Sequence, residues 1–236
     1  MAGSPVNDTL YNLATVALPM IVAIVFHEVA HGRMARLLGD RTAQDRGRLS
    51  FNPLRHVDPV GTVILPGMLA LAHAPVFGWA KPVPVDVRGL PNPRRAMMLV
   101  GAAGPAMNFV LAAVAAVGIG ILARIDPGPG AVAQFVADNL VNFLAINLFL
   151  ACFNLVPLPP FDGSHIVEGV LPASAARAYG KLRPLGFPIM LALLVVLPWL
   201  LPSVDPVRAL VVPPVMWLAD HYLALAALVA GHPLAG

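Results

Sequence analysis

Charged side chains are absent from five long stretches of this chain. Residues Thr9–Phe26, Pro59–Ala80, Ala96–Ala123, Asn139–Phe161 and Pro184–Val204 contain no Asp, Glu, Lys or Arg, and each is at least 18 residues long. A helix needs about 20 apolar residues to cross a bilayer's hydrocarbon core. Only 11% of the 236 residues are charged, against about 25% in a soluble domain. Lipid rather than water is the solvent this pattern suits. A sixth apolar stretch, from about Val207 to Val229, is interrupted by Arg208, Asp220 and the pair Pro213–Pro214. The expected fold is an all-α polytopic membrane protein with about five to six transmembrane helices. One membrane-embedded domain is expected over residues 1–236, with C-terminal helices in 184–230. No signal peptide is expected, because Met1–Thr9 lacks a basic region and carries Asp8.

The basic residues are as unevenly placed as the apolar ones. Gly32–Asp58 holds six arginines, Lys81–Arg95 holds four basic residues and Gly163–Arg183 holds three, leaving only Arg124 and Arg208 elsewhere. Confinement to loops between apolar stretches argues for membrane orientation and against nucleic acid as a partner. The positive-inside rule puts the rich loops in the cytoplasm and the N-terminus outside. Pro59–Ala80 then has basic residues on both flanks and must enter the bilayer and return. Pro66, Gly67, Pro75 and Gly78 agree, since they break any long helix. The segment near residues 59–87 is expected to be re-entrant, a short helix followed by extended chain over Gly78–Val87. Such backbone survives at membrane depth only when protein or a wet cavity satisfies it.

His27-Glu28-Val29-Ala30-His31 lies at the inner end of the first apolar stretch. On a helix, residues i and i+4 share one face, so both imidazoles reach one metal ion and the glutamate lies beside it. Ionisable groups in a span are costly unless paired or functional, and here three fall within five residues. A third ligand is needed for a hydrolytic zinc site. Met34 and Leu37 exclude the downstream glycine and histidine of a longer metzincin motif. The residues leave two candidates. Glu168 is the one other glutamate, and Asp162 ends a Pro-rich break directly after a long uncharged stretch. Asp162-Gly163 also reads as an ordinary turn. The lone Cys152 excludes an intrachain disulfide and a multi-cysteine metal site.

HExxH on a first span, joined to Asn154, Pro157, Pro159, Asp162 and Gly163 in an NxxPxPxxDG segment, resembles the site-2 protease family of intramembrane zinc metalloproteases. Gly104-Pro105-Ala106-Met107-Asn108 matches that family's GPxxN element. The likeness spans roughly residues 20–170 and is to a short bacterial form without PDZ or CBS domains. It implies zinc, one ion per chain, on His27, His31 and Asp162, with Glu28 as the base. It also implies that Asn154 and Asn108 hold substrate backbone near the metal. Transmembrane proteins or peptides would be the substrates and the bilayer the medium, with cleavage near the cytoplasmic face.

The extended segment suggests how substrate is gripped. Pro82 and Pro84 lack N–H groups and share one strand edge, whereas Lys81, Val83 and Val85 present theirs on the other. That second edge is expected to receive unwound substrate, which makes Lys81 and Val83 candidate binding residues. Two other readings stand beside this one: a membrane zinc protease using Glu168, and a non-catalytic zinc-binding or transport protein. His165 is a candidate neighbour of the site and His73 a candidate cavity wall. Asp220 and His221 imply either that the last stretch does not span or that the pair faces a cavity.

Overall fold

The structure, a computed structural model, describes residues 5–71, 78–126, 128 and 130–234. In chain order its α-helices are α1 (Pro5–Leu37), α2 (Thr42–Asp45), α3 (Leu65–Leu71), α4 (Pro93–Ile125), α5 (Ala131–Asn154), α6 (Asp162–Val170), α7 (Ala173–Gly180), α8 (Gly186–Leu191), α9 (Leu197–Leu200), α10 (Pro206–Leu210) and α11 (Val212–Ala230). No strand occurs among the described residues. Five helical stretches are long and apolar enough to cross a membrane: Thr9–Leu37, Pro93–Ile125, Ala131–Asn154, Ala173–Leu200 and Val212–Ala230. The chain is thus an all-helical polytopic membrane protein, at the lower end of the expected count.

The central helix is α4, which packs against α1, α5, α6 and α11. Lipid gives helices no hydrophobic reason to associate, so close packing of small side chains has to do it. Ala112, Ala115 and Ala116 of α4 supply that surface, buried against Leu144 and Leu148 of α5 and Ala226 of α11. The start of α4 is set by Pro93 in its first turn and by the Asn92 side chain, which accepts from the Arg95 N–H at 3.2 Å. Pro213 and Pro214 occupy the first turn of α11, where an N–H has no helical partner anyway. They open the last helix rather than break it.

Two stretches depart from the sequence reading. Gly163–Arg183, expected as a basic loop, is largely helical in α6 and α7. The fourth span accordingly begins at Ala173 rather than Pro184. It is not continuous, for a 3-10 turn at Arg183–Leu185 and a π turn at Ala192–Val196 interrupt it. Pro184, Pro188 and Pro198 each remove a helical N–H along this stretch.

The re-entrant segment begins with the Asp58 carboxylate accepting from the N–H groups of Val60 and Gly61 at 3.0 and 2.7 Å. A π-helical turn over Pro59–Ile64 leads into α3. Residues 72–77, including His73, Pro75 and Phe77, lie outside the described residues, so the cavity-wall reading of His73 does too. From Gly78 to Val87 the backbone is neither helix nor strand. Trp79 donates its N–H to Gly61 O at 3.1 Å, and the Thr62 hydroxyl donates to Trp79 O at 2.9 Å. Residue 79 thus lies beside the beginning of the segment.

Candidate metal centre and catalytic base

His27 and His31 are buried on the side of α1 that faces α4. Their Nδ1 atoms face acceptors: Asn108 Oδ1 lies 2.6 Å from His27 Nδ1, and Val100 O lies 2.7 Å from His31 Nδ1. The Asn108 amide can be oriented in one way only, because its Nδ2 faces Asn147 Oδ1 at 2.8 Å and the Ala23 carbonyl at 3.4 Å. Each Nδ1 therefore carries a proton, and in the neutral imidazoles both Nε2 atoms are left as lone pairs.

Asp162 is the first residue of α6, delivered by the Pro-rich break after α5. Gly163 makes the close approach possible: a Cβ there would collide with the Leu155 and Val156 carbonyls. Asp162 Oδ2 lies 3.1 Å from His27 Nε2 and 3.3 Å from His31 Nε2, and the two Nε2 atoms are 3.0 Å apart. Oδ2 is buried with no hydrogen-bond donor among the described residues. Three atoms able to bind a cation thus converge on one point. Donors bound to one tetrahedral zinc at 2.0–2.1 Å are about 3.3 Å apart, so both the spacing and the His-His-carboxylate donor set fit zinc. Gly104 of α4 keeps the space clear, because a Cβ there would lie 2.5 Å from His31 Nε2 and 2.6 Å from His27 Nε2.

Glu28 Oε2 accepts the N–H of Val83 at 3.0 Å, so the extended segment lies directly over the candidate base. Protein groups hold that segment along its length. Lys81 donates its N–H to His56 O at 2.8 Å and accepts Arg48 Nη2 at 2.6 Å on its carbonyl. Asp86 donates its N–H to Asp40 Oδ2 at 2.7 Å, while Asp40 Oδ1 accepts the Thr42 N–H at 2.8 Å. The edge expected to be open for substrate is therefore engaged at Lys81 and Val83.

The remaining candidates divide. Asn108 is fully buried and both ends of its amide are taken, so it serves His27 instead of reaching substrate. Asn154 closes α5, half-buried, with its Nδ2 on Leu150 O at 2.9 Å. His165 follows Asp162 by less than one turn, with a buried Nδ1 that lacks a partner among the described residues. Glu168 is not with the histidines: its Oε2 accepts Arg183 Nη2 at 2.6 Å and Nε at 3.1 Å. Among the described residues the cluster able to hold a metal is His27, His31 and Asp162. Sequence reasoning missed Asn147, which is fully buried and orients Asn108 while its own Nδ2 donates to Phe143 O at 2.8 Å. An asparagine in the middle of an uncharged stretch was the available signal.

Membrane-crossing helices around a His-His-Asp donor set and a glutamate describe a membrane metalloprotease. Residues 117–197 match the model of peptidase family M50. YwhC of Bacillus subtilis (strain 168), described as a candidate zinc metalloprotease, is 37% identical over an alignment of 186 residues, with 75% of this chain and 78% of YwhC covered. Rip2 of Mycolicibacterium smegmatis, described in the same words, is 29% identical over 195 residues, covering 80% of this chain and 71% of Rip2. Rip2 of Mycobacterium tuberculosis (strain ATCC 25618 / H37Rv) is 29% identical over 196 residues, with 82% and 72% covered. No solved structure was found to match the chain. The chain belongs to peptidase family M50, the site-2 protease family.

Proposed function

We propose that this chain is an intramembrane zinc metalloprotease that hydrolyses peptide bonds in or near transmembrane segments of membrane-protein substrates. The observation that carries this reading is the convergence of His27 Nε2, His31 Nε2 and Asp162 Oδ2 on one point, with α1 long and apolar enough to span. These three residues hold one zinc ion. Zinc bound there polarises a carbonyl and lets water ionise near neutral pH. Glu28 is the base: its carboxylate takes a proton from water and passes it to the departing amine.

A transmembrane substrate hides its carbonyls in i to i−4 hydrogen bonds and must unwind before it can react. The segment from Gly78 to Val87 is the wall along which the unwound chain lies. Lys81 anchors that wall through His56 and Arg48. Val83 has the more active part. Its N–H steadies Glu28 in the resting site, and protonation makes that carboxyl a weaker acceptor. The N–H is then released to a substrate carbonyl. Asn154 steadies substrate backbone near the metal.

Orientation follows from charge. Five crossings, with residues 59–87 returning to the side they left, put both basic loops and the basic start of the fourth span on one face and Arg124 and Arg208 on the other. With the basic face cytoplasmic, the N-terminus is outside a bacterial inner membrane and cleavage occurs near the cytoplasmic surface.

The test is cleavage of a model transmembrane substrate by purified full-length protein in liposomes. Glu28→Gln should cut slower by several orders of magnitude, because it removes the proton acceptor and spares the ligands. Cleavage by Glu28→Gln at the wild-type rate would overturn the assignment of the base.

A further inference from the structure

At the centre of α11 stand two ionisable residues, Asp220 and His221, both exposed. The inward face of this helix is Val215, Leu218, Ala219, Tyr222, Leu225 and Ala226, packed on α4 and α5. Trp217, Asp220, His221, Ala224 and Leu228 form a stripe on the opposite face, all of them exposed. The pair therefore neither ends the helix nor faces a cavity of this chain. It points toward lipid at mid-span, where an unpartnered ionisable group is most costly.

The two side chains are chemically matched to each other but not joined. His221 Nδ1 lies 2.7 Å from the Trp217 carbonyl, which fixes the ring proton on Nδ1 and turns a bare Nε2 outward. The Trp217 ring covers the imidazole with centroids 4.3 Å apart and holds its orientation. Asp220 has no hydrogen-bond partner among the described residues. One face thus offers an acceptor nitrogen beside an acid that supplies the matching proton.

We propose that this stripe of α11 is the interface with a second copy of the same chain, in which Asp220 of each copy bonds His221 of the other. Copies inserted by the same rule share one orientation, so a two-fold axis along the membrane normal sets the two α11 helices parallel. A two-fold interface requires a self-complementary patch, and an adjacent acid and base satisfy that with two reciprocal bonds. In parallel helices a side chain on the contact stripe seats against its own counterpart and the residue after it, which brings Asp220 onto His221. Ala224, one turn further on, is small enough to let the backbones approach.

The experiment uses full-length protein, labelled with donor and acceptor dyes and diluted in liposomes, with association read by energy transfer. Wild type should associate. Asp220→Leu and His221→Leu should each weaken association about tenfold, the worth of the interhelical hydrogen bonds removed. The exchanged double variant, Asp220→His with His221→Asp, keeps one acid and one base on each face and should restore association. Zinc content, equal in all variants, confirms that the fold is intact. A wild type that stays monomeric, or leucine variants that associate like wild type, would overturn the proposal. So would an exchanged variant that stays as weak as the single ones, or association of wild type only with an added transmembrane substrate peptide.

Discussion

The backbone N–H of Val83 donates to Glu28 Oε2 across 3.0 Å, linking residues 55 positions apart. This bond couples the candidate base to the segment that covers it. Displacing the segment would free Glu28, and a change in the charge of Glu28 would alter its hold on the segment.

Proline at position 83 would remove that donor, whereas alanine at position 82 would leave the same edge intact. Cleavage should fall at least about tenfold in Val83→Pro, by loss of a hydrogen bond to a charged group, and change little in Pro82→Ala. Zinc content should be the same in both. Equal cleavage rates at equal expression would exclude Val83 from the reaction.

Asp40 ties the far end of the segment to the end of α1. Burial works against its carboxylate, but hydrogen bonds from the Thr42 side chain, the Thr42 N–H and the Asp86 N–H outweigh it and hold the pKa below the ordinary value. A carboxyl whose pKa falls on folding stabilises at pH above its unfolded value and loses that contribution as pH drops through the folded one. The clamp should therefore be complete at neutral pH and loosen only below about pH 4. In Asp40→Ala the Asp86 amide should exchange with solvent about tenfold faster or more at pH 7. Unchanged exchange there would show that the segment is held by other bonds.

Asn147 reaches His27 through Asn108, whose Nδ2 donates to Asn147 Oδ1 and whose Oδ1 faces His27 Nδ1. Groups that orient a ligating imidazole typically change metal affinity by 10–100-fold. Asn108→Ala should weaken zinc binding by about that range, and Asn147→Leu by about tenfold, measured by competition with a chelator. Asn147→Asp keeps the acceptor that Asn108 needs and should bind more tightly than the leucine variant. If all three bound zinc like wild type, the amide chain would have no part in orienting His27.

What could be read from the sequence follows the range of each interaction. His27 and His31 are one helical turn apart, so their shared face is fixed by local geometry. Asp162 is 131 residues beyond His31, and its context left it in competition with Glu168 until the resemblance favoured it. The structure separates the two by pairing Glu168 with Arg183. The links from Asn147 to Asn108 and from Glu28 to Val83 join residues 39 and 55 apart. Neither follows a period, and the second involves a backbone N–H that no side-chain pattern can reveal. Charge counting misread Gly163–Arg183 as loop, because short helices carrying Arg177 and Lys181 have no apolar run to announce them.

The thirteen-to-two division of basic residues, from six, four and three against Arg124 and Arg208, predicts topology. Reporter fusions after Arg48 and after Arg88 should both read cytoplasmic, since the intervening segment returns to its starting side. A periplasmic reading at Arg88 alone would make residues 59–80 a crossing and reverse every later span.

Zinc content and cleavage measured on the same purified preparations test the assignment of ligands and base most directly. Wild type should carry one zinc per chain and cut a transmembrane substrate. Glu28→Gln should keep the zinc and lose the activity, whereas His27→Ala and Asp162→Ala should lose both. Stoichiometric zinc with full cleavage in Asp162→Ala would contradict the three-ligand centre.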